Sequence, residues 1–214
     1  MKFSLNLIES DSDIKNKILT EMKNHLQQAM IKSIPSIRQL VPSKIKDVLM
    51  TEPEYQSLIN GKLKGEFGLS NASQKVNEII DIWINNVRIM ISPVTISGSS
   101  IKGGFKLDMI DSSYNDVLAN DGAIVIDGTS GVVLPWLEWL LLYGNKIIVQ
   151  NYEVQVGSNP RSRSGMAIMV PSKNNWRVPP EFAGTITSNW VTRALSRLDD
   201  SILDIIQKEI EKNI

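Results

Sequence analysis

Apolar residues return at every fourth position from Ile14 through Ile18, Met22 and Leu26 to Met30, a spacing that draws one stripe along a helix. Ser10, Asp11, Ser12 and Asp13 stand ahead of it as helix N-caps, and Pro35 is expected to end it. Pro35, Pro42 and Pro53 then divide the next segment into short helical pieces at 36–41, 44–50 and 54–60. Thr51 and Glu54 have capping-box spacing, which supports the last of these. Residues 61–68, with three glycines, read as a loop anchored by Phe67.

A second helix is predicted over 72–86, where Val76, Ile79, Ile80, Trp83 and Ile84 fall at intervals of one, three and four. The pattern then changes to period two. Residues 87–91 read as a strand that Ser92-Pro93 ends or bends, 97–100 and Gly103-Gly104 as a flexible turn, and Phe105, Leu107 and Met109 as a second strand. A short apolar strand at 123–126 is closed by turn residues 128–131. Pro135 and Gly144 bracket a helix at 134–143 that is apolar nearly all round, with Glu138 its one ionisable group before Tyr143.

Residues 147–156 alternate as a strand with Ile148, Tyr152, Val154 and Val156 on its packed face, and 166–170 supply an antiparallel partner. The intervening loop, 157–165, is longer than a hairpin needs. Val178-Pro179-Pro180 is expected to run extended, with Phe182 anchoring its far end. Ser188 or Thr187 then caps a helix carrying Val191, Leu195 and Leu198. A final helix carries Ile202, Ile206 and Ile210, with Asp199 and Asp200 at its start and Lys208 and Lys212 at its end, as the helix dipole favours. The expected fold is α+β, an antiparallel β-sheet packed by helices. An N-terminal helical segment at 1–86 precedes a core at 87–214 that ends in a C-terminal helix, the whole forming one continuous domain.

Composition narrows the chemistry. With 214 residues and 42% hydrophobic content the chain can bury a core without staples, and with no cysteine it has no disulfide, thiolate ligand or thiol nucleophile. The 23 basic and 23 acidic residues cancel, which removes the global attraction that non-specific nucleic-acid binders use. No apolar run approaches the ~20 residues of a membrane helix, and residues 1–9 alternate like a strand before meeting acids, so a soluble, unexported protein is expected.

Candidate chemistry is sparse. His25, the one histidine, lies among polar residues without a visible triad or metal site. Asp108, Asp111, Asp116, Asp121 and Asp127 match no EF-hand spacing and read mainly as caps and turns; a metal-dependent hydrolase built on the first three is the enzymatic alternative. Ser130 lacks the final glycine of a nucleophile elbow, and 61–68 lacks the phosphate-loop ending. Glu138 reads as a structural carboxylate in need of a cationic or hydrogen-bonding partner. Arg161 and Arg163 suit phosphates or a partner's carboxylates. Because their loop contains no aromatic residue, solvent or protein contact is the preferred reading over nucleic acid.

The order of a long N-terminal helix, strands at 105–109 and 123–126, the segment Trp136-Leu137-Glu138-Trp139-Leu140-Leu141-Leu142-Tyr143-Gly144, a long hairpin, then Pro179-Pro180-Glu181-Phe182 leading through Trp190-Val191-Thr192-Arg193-Ala194-Leu195 into a final helix resembles the neck or tail-completion (head–tail connector) proteins of tailed bacteriophages. The likeness covers roughly 89–214. It implies a non-enzymatic structural protein of the virion, assembled in the host cytoplasm into a ring that joins the DNA-filled head to the tail. It implies no cofactor, metal or membrane. Its partners are then copies of itself, other neck and tail proteins, and genomic DNA in the channel. The surfaces it assigns to the subunit interface are Trp136, Trp139, Tyr143, Pro179 and Phe182, with Arg161, Arg163 and Arg177 toward DNA or a partner protein. A tail terminator or sheath-associated component is the nearest alternative, and a nucleic-acid-binding module the alternative of another class.

Overall fold

A computed structural model describes residues 10–108, 114–128 and 131–214. The fold is mixed α+β, as expected. The order is α1 (Asp11–Thr51), α2 (Pro53–Asn60), α3 (Lys62–Glu66), α4 (Ala72–Asn85), β1 (Arg88–Ser97), β2 (Ser100–Asp108), α5 (Asn115–Leu118), a 3₁₀ turn (Asp121–Ala123), β3 (Val125–Ile126), β4 (Val133–Leu134), α6 (Trp136–Leu142), β5 (Val149–Val156), β6 (Ala167–Trp176), α7 (Trp190–Ser196) and α8 (Asp199–Glu211). In place of one sheet, the described strands form three separate antiparallel pairs, β1–β2, β3–β4 and β5–β6. None of the described helices is long and apolar enough to cross a membrane.

The first helix corrects the reading of its prolines. Helix α1 runs for 41 residues straight through Pro35 and Pro42. A helical proline costs ~3 kcal/mol, but Met30, Ile37, Val41, Ile45 and Leu49, each at most 2% exposed, continue one buried face across both of them. Packing of that face outweighs local propensity. At the start, Ser10 and Asp13 exchange hydrogen bonds, Ser10 Oγ donating to Asp13 Oδ2 at 2.6 Å and accepting from the Asp13 amide at 3.2 Å. The Ser10 hydroxyl and the Ser10 amide, both donating to Asp13 Oδ2, hold the exposed Asp13 carboxyl below its ordinary pKa.

Contacts group the chain into two compact units. One comprises residues up to Val41, Arg88–Asp108 and Ser201–Ile214. Here α8 lies on α1, where Ser33 Oγ sits 2.7 Å from both the Ala29 and the Glu209 carbonyl oxygens and accepts from Asn213 Nδ2. The β1–β2 hairpin is tied to the same helix by the Val94 amide, which donates to Gln27 Oε1 at 2.8 Å. Strand β1 does not stop at Pro93: the ladder shifts register between Ser92 and Thr95, and the irregularity takes up the proline's missing N–H. Gly103 and Gly104 are strand residues, not a turn. A Cβ on Gly103 would lie 2.9 Å from Val94 Cγ2, so the side chain beside the bulge needs a bare backbone opposite it.

The other unit comprises Pro42–Val87 and Met109–Asp200. Residues 62–66 form helix α3 where a loop was expected, because Leu63 and Phe67, one helical turn apart, are both buried. Trp83 and Trp190 meet edge to face at 5.6 Å in its core. Helix α6 begins at Trp136, since Leu134 pairs with Val125 in the β3–β4 ladder. Segment Pro179–Ala183 is a turn and not an extended arm: the amides of Phe182 and Ala183 both donate to the Pro179 carbonyl, at 2.9 and 3.0 Å. The cap of α7 is Asn189, not Ser188 or Thr187, in a reciprocal capping box with Thr192.

The packed face expected on β5 is only partly there: Ile148 and Val154 are half-buried. Asn151 takes a left-handed φ of 60°, and the β5–β6 ladder shifts between Gln150 and Tyr152. Beyond that shift Tyr152 is 39% and Val156 78% exposed.

Candidate functional site

Helix α3 ends at Glu66, and the chain turns at Gly68, whose φ of +64° permits it. A Cβ at Gly68 would lie 3.0 Å from Arg163 Nε, so the guanidinium lies against the bare backbone. Arg163 Nη1 donates to Asp127 Oδ2 at 2.8 Å, which ties the 157–165 loop to the end of the β3–β4 hairpin. The loop is also closed on itself. Asn159 Oδ1 accepts from the Arg161 amide and Ser162 Oγ donates to the Ala167 carbonyl, at 2.9 and 2.7 Å.

Between this loop, the end of α3 and β6 lies a cleft of about 400 Å³. Phe67, Trp139 and Trp176 gather here. The ring centroids of Trp139 and Trp176 are 5.8 Å apart, and those of Phe67 and Trp176 6.0 Å. Glu66, with its side chain 10% exposed, accepts from the Trp176 indole N–H at 2.9 Å and lies 3.9 Å from Lys62 Nζ. Burial pushes its carboxyl pKa up, against the Trp176 hydrogen bond and the Lys62 charge, which pull it down. Arg161 lines the cleft and forms no ion pair among the described residues.

The remaining sequence candidates are spread out. Trp136 is fully buried, its indole N–H donating to the Gly122 carbonyl at 2.8 Å, and Pro179 is buried too. Neither has surface to offer a neighbour. Trp139, Tyr143 and Phe182 are half-buried and keep some; the Lys146 ammonium sits 5.3 Å from the Tyr143 ring centre. Arg177 is exposed and is not among the residues lining the cleft. Glu138 is half-buried and forms no ion pair among the described residues, and its partial exposure relieves the need for one.

Asp108 pairs with Lys106 at 3.1 Å, and Asp116 accepts from Asn86 Nδ2 at 2.5 Å. Asp111 and Ser130 lie outside the described residues, among which no three carboxylate or histidine side chains converge. His25 is exposed on α1.

Glu66 and Asp127 were not legible as cleft residues. Glu66 read as part of a loop and Asp127 as a turn former, and their convergence depends on contacts 110 and 36 positions apart. Comparison with protein-family models, with curated proteins and with solved structures gives no match.

Proposed function

We propose that the chain is a non-enzymatic structural protein of a tailed-bacteriophage virion, forming a ring at the neck between head and tail. Its partners there are copies of itself and the adjoining neck and tail proteins, and its assembly takes place in the host cytoplasm. Beside the sequence resemblance, one structural observation supports this reading. The β5–β6 hairpin pairs with no other described strand, and it exposes Tyr152, Val156 and Met169. Open edges with apolar side chains invite a further chain. A ring needs two different surfaces that meet head to tail. The hairpin supplies one, and the half-buried Trp139, Tyr143 and Phe182 supply the other.

Light-scattering mass measurement at rising concentration, followed by particle imaging, tests the proposal. A closed ring is expected for the wild type, with Val156→Glu and Phe182→Ala shifted toward monomer. A wild type that stays monomeric and is not taken up by purified heads or tails overturns it.

A further inference from the structure

The cleft brings together side chains that no single segment carries, and its charge and shape select a guest. Its volume of about 400 Å³ falls within the ~300–1,000 Å³ of small-molecule sites. Arg161 and Arg163 line it against Asp127, which Arg163 already engages, and Glu66, which lies 3.9 Å from Lys62 Nζ. Arg161 is then the lining charge that forms no ion pair among the described residues. A cationic guest meets repulsion from Arg161, whereas an anion meets an exposed guanidinium suited to phosphate. The indoles of Trp139 and Trp176 stand at 65° to each other, so the pair offers a flat guest both a face and an edge. Behind them, Glu66 accepts the Trp176 N–H and has lone pairs left for a further donor.

We propose that this cleft binds a nucleobase with its attached phosphate: the base stacks on Trp139, its edge amino group donates to Glu66, and the phosphate pairs with Arg161. Such a unit has two sources, a free nucleotide or an unpaired nucleotide of a single strand, and both present the same chemistry. The inference does not rest on ring formation.

Titration with the four deoxynucleoside 5′-monophosphates and with a short single-stranded deoxyoligonucleotide, read by tryptophan fluorescence and calorimetry, tests it. Saturable binding is expected. Arg161→Ala weakens it about tenfold through the lost charge-assisted contact, and Trp139→Ala by a similar factor through lost stacking. Arg161 is exposed, so its variant retains the fold even where Trp139→Ala does not. Tighter binding of the oligonucleotide than of any mononucleotide identifies a strand as the source, and equal binding identifies the free nucleotide. Absence of binding at millimolar nucleotide, unchanged affinity in Arg161→Ala, or equal affinity for nucleosides lacking phosphate overturns the inference. Mass measured on the same samples separates this result from the assembly proposal.

Discussion

The Arg197 guanidinium pairs with the Glu52 carboxylate, a residue 6% exposed and 145 positions earlier in the chain. One turn earlier on α7, Arg193 pairs with Glu54, which is 3% exposed. Two carboxylates flanking Pro53 are thus held by two arginines, one in the last turn of α7 and one at its C-cap. Buried acids require such partners, and the exposed arginine ends limit what each pair contributes.

Arg197→Ala is expected to destabilise the fold by roughly 1–3 kcal/mol, because it strips a buried carboxylate of its charge-assisted bond. Adding Glu52→Gln should recover part of that loss. Urea unfolding of both variants measures it; a double variant no more stable than the single would show that the stranded charge is not the cause.

Pro35→Ala is expected to stabilise. Pro35 is an exposed interior residue of α1 with no N–H to give. Restoring the hydrogen bond and an intrinsic helix former should raise stability by about 1–3 kcal/mol. The unfolding midpoint reports the change, and a lower midpoint would mean that the proline sets a bend the packing requires.

Glu66 makes stability depend on pH. Its folded pKa lies above the ordinary 4.5, so between those two values the folded state holds the extra proton. Its contribution is fully present below 4.5 and is lost as pH rises through the raised value. Glu66→Gln, which still offers an oxygen to Trp176, should flatten this part of the profile and leave the variant relatively more stable at neutral pH. Denaturant titrations at about pH 4 and about pH 8 supply the comparison; parallel curves for wild type and variant exclude the effect.

Gly184→Ala is expected to be among the costliest single-methyl additions. A Cβ there would lie 2.5 Å from Asn189 Cβ and 2.7 Å from the Leu140 carbonyl oxygen. Gly184 N donates to that carbonyl at 3.0 Å, and Gly184 O accepts from the Gly144 amide at 2.8 Å, so the seam cannot open without losing bonds. A loss of at least ~1–3 kcal/mol follows from such overpacking. Retention of the wild-type melting temperature would show that the backbone moves freely here.

Elements whose apolar spacing is local were legible: α4 from Val76, Ile79, Ile80 and Trp83, the antiparallel pairing of β5 with β6, and the charge placement on α8. Proline was over-read, because the stripe from Ile37 to Leu49 outweighs two missing donors. The short sequence spacing of 62–66 hid a helix that packs in part against β6, where a Cβ on Gly65 would meet Ala167 Cβ at 3.2 Å. Period two suggested one wet and one dry face on β5, but alternation says nothing about whether another layer exists to cover it. The cleft was least legible. The basic loop holds no aromatic residue of its own, and Trp139 and Trp176 reach it from either side in sequence.

Arg163 lies across Gly68 and holds Asp127, while Asn159 and Ser162 close the loop from within. Whatever meets this surface finds residues 157–165 already in one arrangement, so the entropy of fixing that loop is lost on folding and not on encounter. A guest of this surface would therefore dock on a loop whose shape is set beforehand.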